Sequence, residues 1–277
     1  GFFLLCMILL VPSLAFKSLS GGFSMISNAA KLKSIPLTLI PKTLTGLISS
    51  LMLALSWGLG YFGQPHILVN FMGIKNTKEI PKARAVGMTW QLLTLGSSVA
   101  IGLIGIAYFA QPLPDKELVF VLMVQQLFTP FIAGLVLCAI VAAGLTTIDT
   151  QILVSASTFA NDFYKHYINP KATSKDVLRA SKIGVAIVPL ISFAVAFNKS
   201  ASVYGLVEYA WNGLGSSFGP VVLTSLYSKR VTSKGAFVGM LVGGLTAALW
   251  PLSGSSVPSM IPGFFSNLAI LLLFSKK

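Results

Sequence analysis

Ser56-Trp57-Gly58-Leu59-Gly60-Tyr61-Phe62-Gly63-Gln64-Pro65-His66 lies inside a segment otherwise apolar enough to cross a bilayer. The three glycines each cost about 1 kcal/mol relative to Ala in a helix interior and Pro65 about 3, so roughly 6 kcal/mol of helix propensity is given up within eight residues. A membrane helix is therefore expected to break here. In hydrocarbon an opened backbone is tolerated only where it is buried in protein or lines a wet cavity. Gly and Pro are also common in membrane helices generally, but here they cluster with Trp57 and Tyr61, and the cluster favours a cavity.

The composition agrees with a chain that lives in lipid. Of 277 residues, 55% are hydrophobic and 10% charged, with a mean hydropathy of +0.82, whereas soluble domains carry about 25% charged residues. The fold class is all-α and polytopic. Eight spans are expected: 2–16, 44–72, 85–110, 119–160, 183–197, 202–227, 236–252 and 260–274, with Pro130 bending or dividing the fourth. Residues 17–42, with Pro36, Pro41 and scattered Ser and Gly, read as a long external loop. Cys6 and Cys138 sit in apolar stretches without paired spacing and read as small buried side chains. Gly1 is followed at once by an apolar run and Lys276-Lys277 closes another, so the sequence reads as a fragment that begins inside a span.

The net charge of +13 raises nucleic acid as a partner, but the basic residues fall in short loops and form no stripe with stacking aromatics. Alternate loops carry fourteen of the twenty: Lys75, Lys78, Lys82, Arg84; Lys165, Lys171, Lys175, Arg179, Lys182; Lys229, Arg230, Lys234; Lys276, Lys277. The positive-inside rule places this set, and both ends of the chain, in the cytoplasm. No nucleic acid and no obligatory protein partner are expected.

Polar groups at membrane depth mark the fourth span. Ala143, Thr146, Thr147 and Thr150 share one helix face through i+3 and i+4 steps, and two hydroxyls with a helix carbonyl suit a hard monovalent cation. The competing reading is that each Thr bonds a carbonyl of its own helix. Asp149 adds a carboxylate costing about 2.5–3.5 kcal/mol near the middle of a span; it could coordinate, carry a proton or accept hydrogen bonds. Glu208, beside Tyr209 and Trp211, is either a pathway group or simply hydrated near the outer interface.

Gly58 to Gly63 also fits G-x-G-x-x-G, with Glu79 near the distance of a ribose contact. That fingerprint works only between a strand and a helix of a βαβ unit, and here apolar spans flank it. No Ser-His-Asp, Cys-His or metal-spaced set occurs, so the chain does not read as an enzyme.

The residues from Ser56 to Met72 and from Ala83 to Tyr108 resemble the sodium/solute symporter family, and within it the sodium/proline symporters. Thr146-Thr147, Gln151-Ile152-Leu153, Asp162-Phe163-Tyr164-Lys165, the stretch Tyr209-Ala210-Trp211 to Leu223, and Arg230 to Gly243 extend the likeness in order. The resemblance implies a leucine-transporter type fold of two inverted five-helix repeats. The chain would be one transmembrane domain, 1–277, that begins in the fifth core helix and holds the second repeat plus two accessory helices. It implies sodium-coupled symport of L-proline into the cell by alternating access across the cytoplasmic (inner) membrane. Trp57, Tyr61 and Pro65 would shape the substrate cavity, and Thr146, Thr147 and the carbonyl of Ala143 would bind sodium. Asp149 stands as a possible accessory group. Alternatives are sodium symport of another small carboxylate such as pantothenate, or a membrane sensory module of a signalling protein.

Overall fold

A computed structural model describes residues 1–38, 40–197 and 202–275. The described residues are helical with no strand, and the chain divides into two compact units, Gly1–Leu39 with Ile74–Thr150, and Ile40–Gly73 with Gln151–Lys277. The helices are α1 Phe2–Ser18, α2 Gly22–Leu32, α3 Leu44–Gly60, α4 Pro65–Met72, α5 Ile80–Tyr108, α6 Val119–Leu127, α7 Pro130–Ser157, α8 Ser174–Ala196, α9 Val203–Tyr227, α10 Ser233–Leu249 and α11 Met260–Leu273.

Every expected span contains a helix, but they do not all cross on equal terms. Five helical stretches are long and apolar enough to span a membrane: 44–63, 77–108, 130–168, 174–196 and 233–253. The bent pair α1–α2 would make a sixth, α11 is shorter at 14 residues, and α9 is long but interrupted by polar residues. Outward faces carry exposed apolar side chains such as Leu51, Leu92, Phe193 and Leu245. In water such continuous surface would drive aggregation; in lipid it is solvated. The chain is a multi-pass membrane protein.

In the first unit, α1, α2, α5, α6 and part of α7 enclose a core built on Val11, Ala15, Ile26, Ile104, Met123 and Val136. The stretch expected to be an open loop instead holds α2, which leaves α1 at 86°. The reason is a small apolar face: Ile26 and Ala30 are buried, and that packing outweighs the local Ser and Gly. Lys33, just past α2, donates its ammonium to the carbonyls of Ile106 (2.8 Å) and Phe109 (2.7 Å). Those groups lie at the C-terminal end of α5, where carbonyls lack intrahelical donors and the helix dipole favours a cation. Pro130 does divide the fourth span, separating α6 from α7. Cys6 and Cys138, expected to be buried, are free and exposed; they lie on outward faces whose burial the apolar sequence alone could not assign.

In the second unit, α9, α10 and α11 pack at close range because glycines meet across their contacts. A Cβ on Gly243 would meet the Asn267 Cβ at 2.8 Å, and one on Gly263 the Ser216 Cβ at 2.8 Å. Small residues of this kind let membrane helices approach. Asn267 is fully buried in α11 and donates from Nδ2 to the carbonyls of Ser216 (2.8 Å) and Ser217 (2.7 Å) of α9. Ser216 is four residues before Pro220, which has no N–H to give it. Asn267 supplies the missing donor. Elsewhere in this unit α8 starts at Ser174, nine residues before the expected boundary. A reciprocal capping box between Thr173 and Asp176 fixes that start, and the charged first turns that hid it from hydropathy are helical all the same.

Candidate functional site

The break in the third helix is narrower than its composition suggests. α3 runs through Gly58 to Gly60, a single 3-10 turn follows over Tyr61–Gly63, and only Gln64 is extended, at φ −86° and ψ 109°. Pro65 then starts α4, a position where no N–H is required. The Gln64 carbonyl accepts from the amides of Ile67 and Leu68, each at 3.1 Å, and so begins the new helix.

Gly60 and Gly63 serve close approach rather than unwinding. A Cβ on Gly60 would strike the indole of Trp211, and one on Gly63 would lie 2.6 Å from the Gly215 Cα on α9. Gly58, by contrast, faces open space. The G-x-G-x-x-G spacing thus has a packing cause: two of its three glycines press the end of α3 against α9.

At a helix end the last carbonyls lose their amide partners, and here side chains replace them. Trp211 Nε1 donates to the Trp57 carbonyl at 3.2 Å. Gln64, 2% exposed, donates from Nε2 to the carbonyls of Gly60 (3.3 Å) and Trp211 (3.2 Å). One turn earlier the buried Ser56 hydroxyl donates to Asn212 Oδ1 at 3.2 Å, and Asn212 Nδ2 donates to the Ser259 hydroxyl at 3.1 Å. Side chains thus supply donors to the Trp57 and Gly60 carbonyls at the break.

Three aromatic rings meet at this junction. Trp211 packs against Trp57 with centroids 5.4 Å apart and receives Tyr61 edge-on at 4.8 Å; Trp57 also touches Tyr204 at 6.0 Å. Tyr61 keeps 46% of its surface exposed. The structure thus joins Trp57 and Tyr61 through a residue absent from the expected set, Trp211, and places Pro65 just beyond them at the head of α4. Trp211 stands 154 residues from Trp57 in sequence, so no spacing rule could pair them; its recurrence beside Glu208 and Tyr209 in a polar patch of a span was the available signal.

In the first unit, Ala143, Thr146 and Thr147 come together as expected. The Thr146 hydroxyl donates to the Ala143 carbonyl at 2.8 Å and the Thr147 hydroxyl donates to the same oxygen at 3.2 Å, while Thr150 donates to the Thr146 carbonyl at 3.0 Å. These are the back-bonds that hydroxyls make in any helix. They also turn each hydroxyl proton inward and leave lone pairs outward, the polarity a cation needs. Asp149 is exposed and has no hydrogen-bond partner among the described residues. No group of three or more His, Cys, Asp or Glu that could hold a metal ion occurs among the described residues.

The chain is similar to the high-affinity proline transporter of Bacillus subtilis strain 168, with 39% identity over 274 residues, 97% of this chain and 57% of that protein. It is 43% identical to the sodium/proline symporter of Haemophilus influenzae over 79% of this chain and 46% of that one. With the sodium/proline symporter of Escherichia coli K12 it shares 40% identity over 97% of this chain and 54% of the other. The chain thus spans about half the length of the curated relatives it matches. No solved structure matches it. The family model of the sodium:solute symporters matches residues 1–243, which include the broken helix, the Thr146-Thr147 face and α9. The chain belongs to the sodium:solute symporter family, whose members are transporters rather than enzymes.

Proposed function

We propose that the protein carries out sodium-coupled symport of L-proline into the cell across the cytoplasmic membrane. The observation that carries this reading is the aromatic junction of Trp57, Tyr61 and Trp211 on a broken membrane helix. Apolar ring faces suit the pyrrolidine ring, and a helix end placed beside them supplies backbone polar groups to an ionised solute. The relatives named as sodium/proline symporters support the same solute.

In this reading Trp57, Tyr61 and Pro65 shape the substrate cavity, and Trp211 fixes the Trp57 ring and carbonyl. Sodium, a co-substrate, is held by the hydroxyls of Thr146 and Thr147 and the carbonyl of Ala143. Its binding favours the outward-open state, and rocking of the helices, built as a leucine-transporter type inverted repeat, releases both solutes inward. Asp149 serves as an accessory acceptor near that ion. Both ends of the chain face the cytoplasm. The driving force is adequate: one charge crossing about 100 mV provides about 2.3 kcal/mol, roughly fifty-fold accumulation.

The test is uptake of labelled L-proline into proteoliposomes containing the full gene product. Uptake should follow an imposed sodium gradient and fall sharply in Trp57→Ala. Uptake indifferent to sodium, or unaltered by that substitution, would sink the assignment. Unlabelled pantothenate should fail to compete.

A further inference from the structure

α7 continues into a wider helical segment, Thr158–Ile168, whose backbone bonds close on the fifth residue, as from the Asn169 amide to the Tyr164 carbonyl at 2.8 Å. Ala156 and Ala160 on this side are buried, as are Ala180 and Gly184 of α8. A Cβ on Gly184 would lie 3.1 Å from the Ala156 Cα, so small residues set the register in which α8 runs back along the segment. The apolar part of α8 begins at Ile183, after Lys175, Arg179 and Lys182. Thr158–Ile168 is therefore level with those charged first turns, at the edge of the hydrocarbon rather than inside it.

Two features meet in that layer. Phe159, Phe163 and Tyr167, spaced four residues apart, form a ladder with successive ring centroids 5.9 and 6.0 Å apart, and Phe163 and Tyr167 keep 51% and 80% of their surface exposed. Residues 158–182 also carry five exposed cations, Lys165, Lys171, Lys175, Arg179 and Lys182, against two acids. Asp176 is taken up by the Thr173 cap and by Arg179 at 4.0 Å, while the four lysines have no ion-pair partner among the described residues. Water disfavours a ladder of exposed rings, and hydrocarbon disfavours a cluster of cations. The headgroup layer accepts both.

We propose that this surface binds an anionic phospholipid of the phosphatidylglycerol type. The lysine ammonium groups pair with the headgroup phosphate, and the ladder of Phe159, Phe163 and Tyr167 lies along the glycerol and the upper acyl chains. A zwitterionic lipid fits less well, because its own cation already neutralises the phosphate. The bound headgroup bridges the end of the α7 helix and the first turns of α8.

The experiment is fluorescence quenching in vesicles. Thr158→Cys, exposed and one residue before the ladder, is labelled with bimane in the full-length protein, whose other cysteines are replaced by Ala. The protein is reconstituted in phosphatidylcholine with a small, equal fraction of either phosphatidylglycerol or phosphatidylcholine brominated on its acyl chains. The brominated phosphatidylglycerol should quench about threefold more strongly, and the excess should shrink as salt is raised. Lys165→Gln, Lys171→Gln, Lys175→Gln and Lys182→Gln together should abolish the excess while quenching by brominated phosphatidylcholine stays constant. If that baseline shifts, Lys→Arg at the same four positions decides: it must keep the excess. Lys75→Gln, Lys78→Gln, Lys82→Gln and Arg84→Gln together should leave it intact. Equal quenching by the two lipids, an excess that survives the first set or falls as far with the second, or one removed by inorganic phosphate at constant ionic strength overturns the proposal. Quenching is measured without proline and without a sodium gradient, so its outcome is separate from that of the uptake assay.

Discussion

The indole nitrogen of Trp211 donates to the carbonyl of Trp57 across 3.2 Å, and the two rings pack with centroids 5.4 Å apart. One residue of α9 thus supplies both a hydrogen bond and an apolar wall to the last turn of α3. The contact depends on Gly60, whose place a larger residue would take from the indole.

Gly60→Ala is therefore expected to push Trp211 aside, at a cost of about 1–3 kcal/mol typical of overpacking. Thermal unfolding in detergent should show a lower midpoint, and proline binding should weaken in parallel. Gly58→Ala is the control: it meets nothing within 4 Å and gains helix propensity, so its midpoint should hold or rise.

Asn267→Leu should destabilise the α9–α10–α11 packing by about 1–3 kcal/mol, since it strands the Ser216 carbonyl away from any donor. In a Pro220→Ala background the restored amide can serve that carbonyl. The same substitution should then cost less, which a double-mutant cycle of unfolding midpoints would read directly.

If Thr146 and Thr147 are cation ligands, replacing either hydroxyl by a methyl removes an oxygen from a charged partner. A hydrogen bond or ligand contact to a charge contributes about 1.5–3 kcal/mol, so Thr146→Val and Thr147→Val should each raise the half-saturating sodium concentration about tenfold or more. Thr146→Ser should behave nearly as wild type. Unchanged sodium dependence in both Val variants would reduce the pair to ordinary helix back-bonds.

Lys33→Met should leave the Ile106 and Phe109 carbonyls without their side-chain donor and remove a charge from the C-terminal end of α5. A loss of about 1 kcal/mol is expected. Limited proteolysis should then cut residues 17–43 faster than in the parent protein, with the helices of the second unit unaffected.

The two candidate sites were legible to different depths. Ala143, Thr146 and Thr147 are readable because one helix brings them together: i+3 and i+4 spacing is a local property, and the shared carbonyl of Ala143 follows from it. Trp57, Tyr61 and Pro65 are readable as a break for the same reason. Trp211, Asn212 and the bond from Gln64 to the Trp211 carbonyl are not, since those partners lie on helices distant in sequence. Misreadings had local causes as well. The residues around α2 have loop-like composition, yet burial of Ile26 and Ala30 makes them helical, and the charged first turns of α8 hid a helix that Thr173 caps.

Hydropathy and helical periodicity, which act along the chain, determined that this protein is an all-helical membrane protein and which hydroxyls share a face; of the eight spans they suggested, five or six helices are long and apolar enough to cross. The tertiary structure alone decided what the glycines of the opening stretch do. Gly60 and Gly63 do not unwind α3; they admit α9, because a close approach depends on the partner backbone, and the identity of that partner is not encoded in any neighbouring residue.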